Sequence, residues 1–175
     1  VDFDPAALAE AEAAKPANAR GRTDLRDIPL ITIDPADARD HDDAVWATPS
    51  EEQNNKGGFE VIVAIADVAG YVRPGSALDR DAEKRGNSAY FPDRVIPMLP
   101  ERISNHLCSL VEGEDRPCIA VRMVFDKHGN KKSHEFMRAI MRSAAKLSYQ
   151  QAQRAYDSLK SDVESDVPDA LTQNV

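Results

Sequence analysis

The sequence predicts an α+β fold, in which helices pack on a mixed, mostly antiparallel sheet. Two observations support this prediction. Short β-rich runs follow one another through the middle of the chain, and two of them, 118–125 and 133–141, are joined by DKHGN, a turn sequence typical of a hairpin. Helical runs at both ends and in the middle open with residues that commonly cap helices.

The helical runs carry start and stop signals. The run AALAEAEAAK follows an Asp-Pro pair, which predicts a capped helix that ends before Pro16. Ser76 can cap ALDRDAEKR, and Gly86 suits the position after a helix end. Ser148 can cap YQQAQRAYDSLK in the same way, and a further short helix is predicted within 100–110.

Three β-rich runs come before the hairpin, at 29–33, 44–47 and 59–68. The last of them, FEVIVAIADV, is almost continuously apolar, which predicts a strand covered on both faces. Residues 48–58 have turn composition and a Gly-Gly exit, so a hairpin-like return is expected there. The three prolines of 90–100 predict a pinned extended segment.

Composition excludes some classes of protein. With 42% apolar and 30% charged residues the chain can bury a core, and its net charge of −8 argues against a generally basic nucleic-acid-binding surface. Cys108 and Cys118 match no metal-ligand spacing and predict buried thiols of a reduced protein. No apolar run approaches the roughly 20 residues of a membrane span, and no signal-peptide pattern is present, so we expect a cytoplasmic location and no membrane partner.

The stretch DPADARDHDD, residues 34–43, places five carboxylates between two β-rich runs. Like charges ~4 Å apart repel by about 4 kcal/mol per pair at an effective dielectric near 20. Such crowding requires a compensating partner or an open loop. A single helix face does not collect these side chains, since at 3.6 residues per turn the aspartates spaced three apart spread over half the circumference.

The spacing alone leaves two interpretations of this loop open. Hard divalent cations prefer oxygen ligands, and two ions about 3.5–4 Å apart can clamp the attacking and leaving oxygens of a phosphodiester. A solvated turn is the alternative, because aspartate favours turns. A calcium loop of the helix-loop-helix type fits poorly, since Arg39 stands where glycine is needed and Val45 where glutamate is needed.

The run TIDPADARDHDDAVWA resembles the active-site motif of the ribonuclease II/R family of exoribonucleases, whose catalytic domain is called RNB. The similarity continues through VAIADVAGYVRPGSALDRDAEKRGNSAYFPDRVIPMLPERISNHLCSL and, more weakly, RSAAKLSY, and the ribonuclease R branch is the closer match. The resemblance implies part of the RNB fold. It also implies hydrolytic, processive 3′→5′ degradation of single-stranded RNA to nucleoside 5′-monophosphates with Mg²⁺, for which Mn²⁺ can substitute.

The resemblance also implies roles for individual residues. Asp34 and Asp43 hold magnesium directly, and Asp40 binds metal or positions water. Asp42 is the carboxylate most critical for cleavage. Tyr90 matches the tyrosine that stacks on the 3′-terminal nucleotide of RNA, although an ordinary core tyrosine is the alternative. Such stacking is worth about 1–3 kcal/mol per base and tolerates any sequence.

Other residues of these motifs are expected to have supporting roles. His41 is predicted to lie beside the metal ligands or in solvent, Asp37 to cap the loop, and Asp67 to be a hydrogen-bonding turn residue. Six basic residues could form a track along the RNA backbone, although each one singly is an ordinary solvated charge. They are Arg73, Arg80, Lys84, Arg85, Arg94 and Arg102.

The family's catalytic domain extends well beyond this chain. Its second half supplies an arginine near the scissile phosphate and a second aromatic ring, and no stretch here matches them. We therefore expect a helix and connector at 1–27, the N-terminal half of the catalytic domain at 28–160, and an acidic, loosely ordered tail at 161–175. Expected partners are the 3′ end of single-stranded RNA, the remaining catalytic domain and flanking oligonucleotide-binding-fold domains.

The resemblance further implies that the isolated piece is inactive. Two other classes of function stay open for the protein. One is an RNA-binding protein that does not cleave, and the other is a structural domain with an exposed acidic turn.

Overall fold

The computed structural model describes residues 2–159, in which strands outnumber helices. The strands of this part are β1 Thr23–Asp24, β2 Ile31–Asp34, β3 Asp43–Pro49, β4 Phe59–Ala66, β5 Ala89–Tyr90, β6 Val95–Ile96, β7 Asp115–Phe125, β8 Lys131–Arg142 and β9 Ala145–Ser148. The α-helices are α1 Pro5–Ala13, α2 Ala77–Arg85 and α3 Tyr149–Ser158. Shorter helical turns are 3₁₀ at Gln53–Asn55 and Val68–Gly70 and π at Arg102–Leu107.

Seven of the strands form one sheet, in the order β1-β8-β7-β4-β3-β2-β9, and β5 pairs with β6 in a separate hairpin. The β1–β8 and β2–β9 pairs are parallel, and the other neighbours in the large sheet are antiparallel. The prediction of an α+β fold with a mostly antiparallel mixed sheet is therefore confirmed. No helix within residues 2–159 has both the length and the apolar character needed to cross a bilayer.

The predicted helix boundaries are confirmed by the caps that form them. The side chains of Asp4, Ser76 and Ser148 each accept a hydrogen bond from a backbone N–H in the first turn of the helix that follows. Gly86 ends α2 at φ 76°, a backbone conformation that favours glycine. The DKHGN turn joins β7 to β8, as predicted.

Other segments differ from the sequence-based prediction. Residues 17–27, expected to be a polar connector, include the short strand β1. Residues 90–100, expected to be extended, hold most of the β5–β6 hairpin, including its connecting turn. The short helix expected within 100–110 is a π-helical segment. The tail at 161–175 lies outside the described residues.

Within residues 2–159, one face of β4 is partly exposed, contrary to the expectation that both faces are covered. Phe59 and Ile65 are 48% and 47% exposed, whereas Ile62 and Ala64 are buried. Successive strand residues point to opposite faces of a sheet, and α1, α2 and the π-helical segment pack on the face that holds Ile62 and Ala64. The apolar sequence of a strand does not reveal which of its faces is covered.

The two cysteines are buried and free, as predicted. Burial raises the pKa of both thiols to about 12. The thiolate is the reactive form of cysteine, so these thiols are structural rather than chemical groups at neutral pH.

Asp67 ties the connector to the sheet. Its side chain is almost fully buried and lies 2.7 Å from the Arg22 guanidinium, with Arg138 at 3.6 Å. Its backbone carbonyl accepts the N–H of Gly70, which gives it the predicted turn role. Its carboxylate, however, serves an ion pair that the sequence did not indicate.

Candidate active site

The aspartate loop, residues 35–42, connects the end of β2 to the start of β3. Asp34 is the last residue of β2 and Asp43 the first of β3, and the two strands are antiparallel neighbours. The pairing therefore brings these two aspartates to the same end of the sheet. On the other side, Asp34 lies in parallel register with Ser148, the residue that caps α3.

Contacts from two distant strands hold the backbone of the loop. The Lys146 ammonium on β9 donates to the carbonyl of Ala38 at 3.1 Å. The N–H of Ala66, at the end of β4, donates to the carbonyl of Asp42 at 2.8 Å. The backbone of Asp42 is therefore fixed, and only its side chain can change orientation.

A third set of contacts comes from the segment after the π-helical turn. The N–H of His41 donates to Ser109 Oγ at 3.0 Å, and the N–H of Leu110 donates to the His41 carbonyl at 2.8 Å. The Ser109 hydroxyl donates to the carbonyl of Arg39 at 3.4 Å. Ser109 is fully buried, so this serine joins the loop to the core.

Within residues 2–159, the four aspartates that match the family motif are not neutralised by lysine or arginine. Within residues 2–159, no lysine or arginine forms an ion pair with the aspartates at 34, 40, 42 or 43; the imidazole of His41 contacts Asp34. Burial raises the pKa of Asp42, and the charges of Asp40, Asp43 and Asp34 raise it further. Burial and the charge of Asp34 likewise raise the pKa of Asp43.

These carboxylates fit a hard divalent cation by their chemistry. They supply oxygen ligands of the kind that Mg²⁺ prefers, and their mutual repulsion is the energy that a cation would relieve. In the part of the chain that the structure describes, no three acidic, histidine or cysteine side chains stand as a ready-made metal site. Asp34, Asp40 and Asp43 thus remain predicted ligands.

Tyr90 lies at the edge of the loop. The residue is 68% exposed, and its hydroxyl donates to Asp40 Oδ2 at 3.3 Å. Burial and the negative charge of Asp40 raise the pKa of its phenol, which keeps it protonated as a donor. Tyr90 is therefore not a core residue but an accessible aromatic face beside the carboxylates.

The remaining candidates lie elsewhere or serve the fold. Asp37 is exposed and makes no cap within residues 2–159, so the prediction that it caps the loop is wrong; the N–H of Ala38 and the carbonyl of Pro35 close the turn. Arg85 stacks on Phe3, with its guanidinium carbon 3.8 Å from the ring centroid. Arg102 donates to two carbonyls at the end of α1.

Lys146 and Ser109 are the site residues that sequence reasoning missed. Ser109 lies within the second motif, in HLCSL, but nothing in that run assigns it to the loop. Lys146 lies 108 residues from its partner in the chain. No local pattern signals such a contact.

The RNB domain family model matches residues 22–173. This chain belongs to the RNB domain family. Among its relatives, the ribonuclease R of Acidithiobacillus ferrooxidans is 55% identical over 129 residues, which are 74% of this chain and 28% of that protein. The ribonuclease R of Escherichia coli K12 is 52% identical over 129 residues, which are 74% of this chain and 15% of that protein.

A solved structure of another protein has a fold similar to that of this RNB chain. Mycoplasma genitalium RNase R in complex with double-stranded RNA superimposes with a TM-score of 0.83 at 31% identity, over 99% of this chain and 31% of that one. The resemblance to the ribonuclease II/R family is confirmed by these matches. The chain spans less than a third of the length of each of these three relatives.

Proposed function

We propose that this chain carries the aspartate site of a cytoplasmic, magnesium-dependent exoribonuclease that uses two metal ions. The enzyme degrades single-stranded RNA processively from its 3′ end to nucleoside 5′-monophosphates. The rest of the catalytic domain and the flanking oligonucleotide-binding-fold domains belong to the longer protein. The observation that supports this function is the group of four aspartates that, within residues 2–159, form no ion pair with lysine or arginine, beside an exposed aromatic residue.

Each residue of the site has a defined task in this proposal. Asp34 and Asp43, at the paired strand ends, and Asp40, in the loop, would hold the cations. Bound Mg²⁺ supplies Lewis-acid activation of water and stabilisation of the leaving oxygen. Asp42, whose backbone is fixed by the N–H of Ala66, orients the attacking water through its carboxylate, with Asp40 assisting. Tyr90 stacks on the terminal base.

The direct test measures the products released from RNA by the full-length protein. With a uniformly labelled single strand and Mg²⁺, we expect nucleoside 5′-monophosphates to appear from the first turnovers, while intermediate lengths stay scarce because degradation is processive. EDTA should stop the reaction, and Mn²⁺ should restore it. RNA that is bound but stays intact with either cation would instead identify a non-cleaving RNA-binding protein.

Replacing Tyr90 tests the stacking role separately. Tyr90→Ala is expected to weaken binding of a single-stranded RNA 3′ end by about 1–3 kcal/mol, because the base loses its aromatic platform. Tyr90→Phe is the matched control, since it keeps the ring and loses only the hydroxyl that contacts Asp40. Fluorescence anisotropy in EDTA measures both. Equal binding by the alanine and phenylalanine variants would contradict the assignment.

A further inference from the structure

His41 is a buried loop residue that is held by hydrogen bonds from both its backbone and its ring. The residue is 4% exposed, and its Nδ1 lies 2.7 Å from Asp34 Oδ2. Its backbone is fixed on both sides, because its N–H donates to Ser109 Oγ and its carbonyl accepts the N–H of Leu110. Both the position of the ring and its contact with Asp34 are thus determined by the core.

From this geometry we infer that His41 is a positioning residue for Asp34, setting the orientation in which that carboxylate receives a divalent cation. This inference rests on the proposed function. An ionised carboxylate only accepts hydrogen bonds, so Nδ1 is the donor in this contact. The bond occupies Oδ2. Within residues 2–159 the Asp34 side chain makes no other hydrogen bond.

The contact matters because a carboxylate rotates freely about its last torsion. That torsion is broad for aspartate, so without a partner Asp34 would sample many orientations of its two oxygens. A charge-assisted bond from a buried ring selects one plane and leaves Oδ1 for the cation. Carboxylates that bind metals are commonly held in this way, and loss of the holding group costs about 10–100-fold in metal affinity or activity.

The arrangement also assigns His41 a role other than ligand. Its Nδ1 is committed to Asp34, so this nitrogen is not available to a metal ion. The backbone N–H of His41 is bonded to the buried Ser109, and its ring is bonded to the Asp34 carboxylate. Metal affinity should therefore depend on the donor at this position rather than on the imidazole itself.

The test compares variants of the full-length protein by Mn²⁺ binding, followed by electron paramagnetic resonance of free and bound Mn²⁺ without RNA. His41→Leu removes the donor and is expected to weaken Mn²⁺ binding about 10–100-fold. His41→Asn restores an amide N–H at the δ position and should recover most of the affinity. His41→Gln, whose amide lies one bond further out, should not recover it, so the pair stays informative even if the leucine variant does not fold.

Two further readouts separate this inference from the proposed function. Excess Mn²⁺ should restore RNA cleavage by His41→Leu, since the defect lies in cation binding. Asp34→Asn should lose Mn²⁺ binding in either case. Wild-type affinity in both His41→Leu and His41→Gln, with affinity lost in Asp34→Asn, would overturn the role of His41 alone. Unchanged affinity in Asp34→Asn would overturn the cation site itself and this inference with it.

Discussion

Asp42→Asn is expected to abolish RNA cleavage, to leave RNA binding intact and to stabilise the metal-free protein against unfolding. We expect the cleavage rate to fall on the order of 10³-fold, which is within the range for loss of a positioned catalytic group. The backbone of Asp42 is held by the N–H of Ala66, a bond that asparagine keeps. The substitution therefore removes charge and changes little else.

The stabilisation follows from the charges that surround this residue. Burial raises the pKa of Asp42, and so do Asp40, Asp43 and Asp34, so its ionised form is less favourable in the folded protein than in the unfolded chain. A neutral amide avoids that cost and should raise the free energy of unfolding, by an amount that solvent screening reduces because Asp42 is exposed. Function and stability oppose each other at this position.

Thermal unfolding in EDTA and in Mg²⁺ measures the effect. The variant should melt at a higher temperature than the wild type in EDTA, and the difference should narrow in Mg²⁺, because a ligand that binds the folded state stabilises it. Asp37→Asn is the matched control, since Asp37 lies exposed in the same loop and has no assigned role. Loss of both RNA binding and cleavage in Asp42→Asn would show that the carboxylate has been assigned the wrong role.

Local signals account for the elements that the sequence predicted correctly. The caps at Asp4, Ser76 and Ser148 and the DKHGN turn each act within a few residues, so they can be read without knowing the rest of the fold. Strands β1 and β9 have no comparable signal. They are two and four residues long and exist through parallel pairing with β8 and β2, which are distant in sequence.

The candidate site divides in the same way. The carboxylates and the aromatic ring could be identified from the composition of two motifs and their resemblance to a family. The groups that hold the loop could not, because Ser109 lies 68 residues from its partner His41 and Lys146 lies 108 residues from Ala38. Sequence reasoning allowed His41 a place beside the metal ligands but could not assign its contact with Asp34.

The second large effect is expected from Asp67→Asn, which should destabilise the protein by about 3–5 kcal/mol. This is the range for removing one partner of a buried ion pair, since the other charge is left without compensation. Here the remaining charge is Arg22, whose side chain is 12% exposed. Arg138, the second basic partner of Asp67 at 3.6 Å, contributes little to this cost. Its side chain is 60% exposed, so water solvates its charge when Asp67 is replaced.

Urea denaturation measures the free energy of unfolding of the single and double variants. It distinguishes loss of one partner of the ion pair from replacement of both partners. Replacing both partners, as Arg22→Leu with Asp67→Leu, should cost much less than Asp67→Asn, because no buried charge remains. The two positions should therefore show strong coupling in a double-mutant cycle. Additive effects of the single substitutions would instead mean that each side chain acts independently, through packing.

The same substitution connects stability to the site. Asp67 directly follows Ala66, whose N–H holds the carbonyl of Asp42. If the ion pair keeps this end of β4 in place, Asp67→Asn should lose cleavage at temperatures below its unfolding transition, and the double leucine variant should regain it. Cleavage rates measured across temperature for both variants check this. If activity is lost only in proportion to the loss of folded protein, Asp67 contributes to the stability of the domain and not to the geometry of the site.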